Sequence, residues 1–346
     1  MKKVLVIRYG AFGDAIMVTP LLRLLKEDGF HITLNCSEYS RQIYNNNPFV
    51  DEFKIHVTDS VPNEKLGEYW EELGKGFDKV VNLSGSIEAG LLKAEGSPEF
   101  NWSHERRHAE CNVNYYDRTL EIGGYGHIKG RNGELYFTEE EEKWARDNTF
   151  KGKFNILWSL SGSSMHKVYH RAEYAALRLL NKYRDVRTTT VGDDICHLLE
   201  WEHKQARMAS GKWSIRQSLV MVKHSDLVVG TETGILNAAG CYDVPKVLLL
   251  SHSSEENLSK NWKNCVSLHS NPPCHPCHQI HYTLNSCPLK VVIEPDLAIP
   301  GSLITAKYPV CMADLKEDDL FEAIEKVYLN WKEKTWQPLQ PQLVQQ

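Results

Sequence analysis

Three short motifs hold residue types that suit a phosphate-bearing ligand at a sheet edge: RYGAFGD at residues 8–14, SGSSMHK at 161–167 and GTETGILN at 230–237. In the first, Gly10 and Gly13 form a turn ending in Asp14. An apolar run, Val4 to Ile7, precedes the turn and an apolar-periodic segment follows, so Asp14 stands where a strand gives way to a helix. In open α/β sheets ligands collect at that edge. A carboxylate there either caps the first helical turn or faces a bound ligand. In the second motif, Gly162, Ser163 and Ser164 follow a strand, with Lys167 three residues on. Hydroxyls, backbone N–H groups and an ammonium suit phosphate oxygens, and a solvated turn is the other reading. The order is not that of a GxxxxGK[ST] phosphate loop. In the third, Glu232 ends a strand while Thr233 and Gly234 open a helix rich in small residues, Ala238, Ala239 and Gly240. A helix amino end suits a departing diphosphate. Glu232 beside it either meets sugar or ribose hydroxyls or caps the helix.

A fourth cluster joins Cys274, Cys277 and Cys287 to Cys311, with His275, His278 and His281 interspersed. A C-x2-C pair with two further thiols fits structural zinc. The later gaps, nine and then twenty-three residues, also fit a metal-free thiol loop pinned by prolines.

The elements that must position these groups alternate along the chain. Strand-like runs at Val4–Ile7, His31–Cys36, Phe53–Val57 and Asp78–Gly85 are separated by helical segments. The same grammar restarts at Phe154–Gly162, Val186–Gly192, Asp226–Gly230 and Val244–Leu250. This predicts an α/β fold of two doubly wound halves with parallel strands, meeting near residue 150, each with its own core. Ser97 to Asn114, rich in His, Arg and Asn, is expected to be a surface loop; its His104, Arg106, Arg107 and His108 suit either solvent or an acceptor's phosphate. With 346 residues, 42% apolar and 25% charged, the composition is that of an ordinary globular protein. A net charge of −5 gives no general attraction to nucleic acid or anionic lipid. No apolar run is long enough for a membrane span or a signal peptide, so the nine cysteines are expected to be reduced in a cytoplasm.

In this order and spacing the motifs resemble the bacterial ADP-heptose:lipopolysaccharide heptosyltransferase family, from Val4 to about Leu329. The pattern R-x4-G-D-x4-T-P is met by Arg8, Gly13, Asp14, Thr19 and Pro20, and G-[AS]-S-x-x-K by Gly162, Ser163, Ser164 and Lys167. D-[ST]-G is met with Glu232 in place of aspartate before Thr233 and Gly234, and Asn237 stands where the family often has histidine. The resemblance implies a GT-B glycosyltransferase, two Rossmann-like domains facing across a cleft. Residues 1–150 would bind the acceptor and 151–316 the nucleotide sugar. A helix within 317–335 would pack back toward the first domain, and 336–346 would be a disordered tail. It further implies inverting transfer with Asp14 as base. Donor contacts would come from Gly13, Gly162, Ser163, Ser164, Lys167, Glu232, Thr233, Gly234 and Asn237. Catalysis would need no cofactor. The donor would be an ADP-sugar, the acceptor a glycan or glycolipid of the cell envelope, and the location cytoplasmic with at most peripheral membrane contact. Relatives carry a C-x-P-C…C-P…C pattern, met by Cys274, Pro276, Cys277, Cys287, Pro288 and Cys311. Two alternatives keep parts of this reading: the same chemistry on a modified DNA base or a protein, and a non-catalytic nucleotide-sugar-binding module. The acidic charge weighs against DNA.

Overall fold

A computed structural model describes residues 1–84, 88–162, 164–281, 286–293 and 306–333 of the chain. Ser163 and the 336–346 tail lie outside the described residues.

The first half builds a parallel sheet from β1 (Lys3–Arg8), β2 (His31–Ser37), β3 (Glu52–His56) and β4 (Lys79–Asn82), in the order β3-β2-β1-β4. Val4 to Ile7 of β1 are wholly buried, as expected of a central parallel strand covered on both faces. Helices α1 (Phe12–Glu27), α2 (Glu38–Arg41) and α3 (Leu66–Gly74) connect these strands. There follow α4 (Glu88–Leu91), a two-residue strand β5 (Lys93–Ala94), α5 (His104–Cys111), α6 (Tyr115–Ile122) and α7 (Glu139–Asn148). The second half builds a six-stranded parallel sheet from β6 (Phe154–Ser159), β7 (Val186–Val191), β8 (Ala206–Met208), β9 (Leu227–Thr231), β10 (Lys246–Leu249) and β11 (Cys265–Leu268). Its order is β11-β10-β9-β6-β7-β8. The helices α8 (Ala172–Lys182), α9 (Ile215–Lys223) and α10 (Gly234–Gly240) lie between them. Strand β12 (Gln279–Ile280) pairs with β5, and β13 (Lys290–Ile293) pairs antiparallel with β14 (Ala306–Pro309). Last come α11 (Val310–Ala313) and α12 (Glu317–Lys332). The α/β alternation with parallel sheets expected from the sequence is therefore present.

Helix α1 carries Pro20 in its interior, where a proline leaves the carbonyl four residues back without its donor. The Thr19 hydroxyl supplies the replacement, donating to the Ile16 carbonyl at 2.7 Å while accepting from the Glu134 N–H at 2.8 Å. Threonine beside proline thus makes good locally the donor that proline removes.

One apolar cluster spans both halves, and a second lies within the second half. Val4, Ile16, Leu21 and Leu34 of the first half belong to the same apolar cluster as Leu219, Leu236 and Leu248 of the second. Helix α7 reaches across in the same way, packing on α9. There the buried Arg216 grips Glu141 with two N–H groups, at 2.7 and 2.6 Å, and donates to the Tyr136 and Gln42 carbonyls at 2.8 and 3.3 Å. Arg216→Ala removes every one of these donors while leaving Glu141 partly buried, and should cost about 3 kcal/mol. Urea denaturation checks this; an unchanged midpoint would mean that the grip contributes nothing.

Two expectations are corrected. The segment 97–114 is not a surface loop but contains α5, docked on residues 252–281. Arg107, only 8% exposed, donates Nε to the Cys277 carbonyl at 2.9 Å and Nη1 to those of Phe100 and Trp102. His104 Nε2 lies 3.1 Å from the Pro276 carbonyl. Buried carbonyls need donors, so much of this basic knot is spent on its own protein instead of an acceptor. Helix α12, expected to pack back toward the first half, makes its main packing contacts within the second half among the described residues. Its stripe of Leu320, Phe321, Ile324, Val327 and Tyr328 packs on α8, β10 and β11, forming a second cluster with Phe154, Trp158 and Leu179.

Candidate active site

In each sheet the strand order reverses at one place, between β1 and β4 in the first and between β6 and β9 in the second. Crevices form at the carboxyl ends of strands at such points. The loops leaving β1, β6 and β9 open onto one cleft of about 590 Å³.

Asp14 lines this cleft from the first half. Its Oδ2 accepts from the Ala11 N–H at 2.9 Å, and its Oδ1 lies 2.6 Å from Arg8 Nη2. Arg8 in turn donates Nη1 to the Leu83 carbonyl at 2.6 Å, and both charged side chains are 5% exposed. Asp14 thus caps the first turn of α1 and, held by Arg8, stands at the cleft wall. Gly10 makes room for it. At φ +108° it takes a conformation that suits glycine, and a Cβ there would lie 2.6 Å from Asp14 Oδ2. Gly13 and Gly234 allow the two halves to touch: a Cβ on Gly234 would lie 2.8 Å from Phe12 Cβ, and one on Gly13 2.9 Å from Asn237 Nδ2.

The opposite wall comes from the second half. Gly162 and Lys167 line it, and Lys167 is the one lysine or arginine on the cleft wall among the described residues. The Thr231 hydroxyl, donating to the Lys167 carbonyl at 2.8 Å, fixes this turn against β9. Thr233 caps α10 by accepting from the Leu236 N–H and lies 3.1 Å from the Ser159 hydroxyl. The N–H groups of Gly234 and Ile235, in the first turn, have no acceptor within the helix. Ser164 lies on the same turn as Lys167 but outside the cleft wall, its carbonyl accepting from the Lys167 N–H at 2.9 Å.

Glu232 and Asn237 line the cleft with their polar groups already engaged. Glu232 Oε2 accepts from the Ser251 hydroxyl at 2.7 Å, Oε1 accepts from the Ser253 N–H at 3.1 Å, and His252 Nδ1 is 3.1 Å from Oε2. Asn237 Oδ1 accepts from the Tyr116 hydroxyl at 2.9 Å and Nδ2 donates to the Thr233 carbonyl at 3.0 Å. Tyr116 was not foreseen, since nothing in its local sequence distinguishes it. Tyr39, stacked on Phe12 with ring centres 4.0 Å apart, and Trp213 line the cleft. Asp193 and Asp194 line it too, and their place after a strand was visible in the sequence.

Cys274, Cys277, Cys287 and Cys311 do come together, around a separate chamber of about 20 Å³ shared with His166, His252 and His281. All nine cysteines are free. Burial pushes the Cys277 thiol up to about 12 and raises the other three. Among the described residues no group of three or more His, Cys, Asp or Glu is placed to hold a metal ion. His278 faces His108, with Nδ1 of the latter 3.2 Å from its Nε2, and so does not line the chamber. Among the described residues no helix is long and apolar enough to cross a membrane.

No protein-family model and no curated protein sequence matches the chain. Solved structures do. The ADP-heptose lipopolysaccharide heptosyltransferase II of Escherichia coli superposes with a TM-score of 0.63 at 15% identity, covering 96% of this chain and 100% of that one. A family 9 glycosyl transferase from Veillonella parvula gives 0.65 at 16% identity, over 95% and 98% of the two chains. The iron-containing dodecameric glycosyltransferase TibC of enterotoxigenic E. coli gives 0.61 at 11% identity, over 95% and 77%. The chain therefore has the fold of these glycosyltransferases along nearly its whole length.

Proposed function

We propose that the protein is an inverting glycosyltransferase of GT-B arrangement, moving a heptose-like sugar from an ADP-sugar to an acceptor hydroxyl. The observation that carries this reading is one cleft with a fixed carboxylate, Asp14, on one wall and Lys167 with the Thr233–Gly234 turn on the other. In the proposed step the acceptor oxygen attacks the anomeric carbon while Asp14 takes its proton. The bond from that carbon to the diphosphate oxygen breaks, and the leaving ADP carries away the electron pair. Lys167 and the free N–H groups of Gly234 and Ile235 receive the charge that develops. Residues 1–150 serve the acceptor and 151–316 the donor, with α7 and the 97–114 segment bracing the two. The acceptor is a sugar hydroxyl of an envelope glycan or glycolipid, met at the cytoplasmic face. The heptosyltransferase II neighbour, named for ADP-heptose, supports that choice of donor.

Thermal shift against ADP-, GDP-, UDP- and CMP-sugars tests the donor, since a ligand bound to the folded state raises Tm. ADP-heptose is expected to give the largest rise, and no rise with any nucleotide sugar would overturn the proposal. Lys167→Ala should weaken ADP about 10- to 100-fold, the value of one charge-assisted hydrogen bond. Calorimetry reads it, and undiminished affinity would take Lys167 out of the phosphate site.

The four-thiol chamber takes no part in this reaction. It lies under the clamp made by Arg107 and the β5–β12 pair, so its part is structural. Its sulfurs fit zinc or another thiophilic metal in kind and number, while their placement here does not close a ligand set. Elemental analysis distinguishes the two states: one metal per chain means the sulfurs close on an ion, and none means the loop stands on its packing.

A further inference from the structure

His252 lines both the cleft and the thiol chamber, and the proposed reaction gives it no role. Its Nδ1 lies 3.1 Å from Glu232 Oε2 and 3.1 Å from the Ser251 hydroxyl oxygen. That hydroxyl spends its own proton on Glu232, at 2.7 Å. Both neighbours of Nδ1 are therefore acceptors, and Nδ1 must carry the ring proton. Nε2 is left with a lone pair. It makes no hydrogen bond to a described residue, and it is not among the side-chain atoms sealed off without a partner. Burial, with Lys167 nearby, holds this imidazole well below the ordinary histidine pKa, so it stays neutral. A neutral ring with an acceptor nitrogen has no attraction for a diphosphate. What it recognises is a hydroxyl.

The position within the sheet says whose hydroxyl. The phosphate-binding turns leave β6 and β9 at the centre. On one side, past β7 and β8, the cleft wall holds Asp193, Asp194 and the Trp213 ring, which suit a nucleoside: carboxylates for ribose hydroxyls, an aromatic for the base. On the other side, past β10, it holds His252 and Ser253. With the nucleoside on the first arm, the glycosyl group falls on the second. We propose that His252 Nε2 accepts a hydrogen bond from a hydroxyl of the transferred sugar and so selects the donor's glycosyl group. This rests on the nucleotide-sugar reading above.

The test measures ADP-heptose and ADP affinities side by side, by calorimetry, for the unmodified protein, His252→Asn and His252→Gln. The asparagine amide nitrogen takes the place of Nδ1 and keeps the link to Glu232 but offers nothing at Nε2. The glutamine carbonyl returns an acceptor close to Nε2. ADP affinity reports in each case that the site is folded. His252→Asn should lower the ratio of ADP-heptose to ADP affinity about tenfold, with His252→Gln recovering part of it. The same ratio in all three proteins would overturn the role of His252 while leaving the nucleotide-sugar reading intact. An unmodified protein that binds neither ligand would overturn both.

Discussion

Asparagine in place of Asp14 is expected to lower sugar transfer roughly 10³-fold in kcat while leaving ADP-heptose affinity close to unchanged. The amide has the shape of the carboxylate and its oxygen still accepts from the Ala11 N–H. It cannot take a proton from the attacking hydroxyl. Lys167 and the Thr233–Gly234 turn, the groups proposed to hold the donor diphosphate, lie on the opposite wall, so binding and turnover should separate. A second loss accompanies the first. Arg8 is buried against Asp14 at 2.6 Å, and neutralising its partner leaves a charge that, among the described residues, only the Leu83 carbonyl answers. Removing one member of a buried pair costs about 3 kcal/mol, which urea denaturation reads. Adding Arg8→Met to Asp14→Asn should return part of that stability and none of the turnover. A folded Asp14→Asn protein whose kcat stays within about tenfold of the original would remove Asp14 as the base.

The parts of this fold and site that were legible in the sequence are those written in local pattern. The buried run Val4–Ile7, the Gly10–Gly13 turn and the periodic helix behind it place Asp14 without reference to anything distant, and the structure holds it there. The turns at Gly162 and Thr233 were legible for the same reason. What failed was long-range. Segment 97–114 is polar and aperiodic, and α5 within it is stabilised by contacts such as that from Arg107 to Cys277, 170 positions away. The stripe on α12 announces a buried face but not what covers it. Helix α10 meets α1 of the other half, joining residues of both halves in one apolar cluster, a contact between distant stretches that no local pattern announces. His252 sits in a short polar run, Ser251 to Ser254, with no periodicity to mark it. Its meaning depends on Glu232, a neighbour only once β9 and β10 are paired.

Gly10→Ala should cost about 10²-fold in kcat, although Gly10 is assigned no contact with either substrate. An alanine there meets two obstacles. The backbone at φ +108° is one that L side chains rarely adopt, at about 1–3 kcal/mol. The new Cβ would also stand 2.6 Å from Asp14 Oδ2, so the carboxylate must swing away, giving up the Ala11 N–H and its alignment on Arg8. Donor affinity should change little, because Lys167 and the 233–234 turn lie across the cleft. If Gly10 acts through the Asp14 carboxylate alone, Gly10→Ala added to Asp14→Asn should lower kcat no further, since a displaced amide is no worse a base than one in place. A further 10²-fold loss in the double variant would show that the turn shapes something other than the base. Stability should behave differently: the strained backbone is present in either background, so its cost should recur even where the catalytic cost does not.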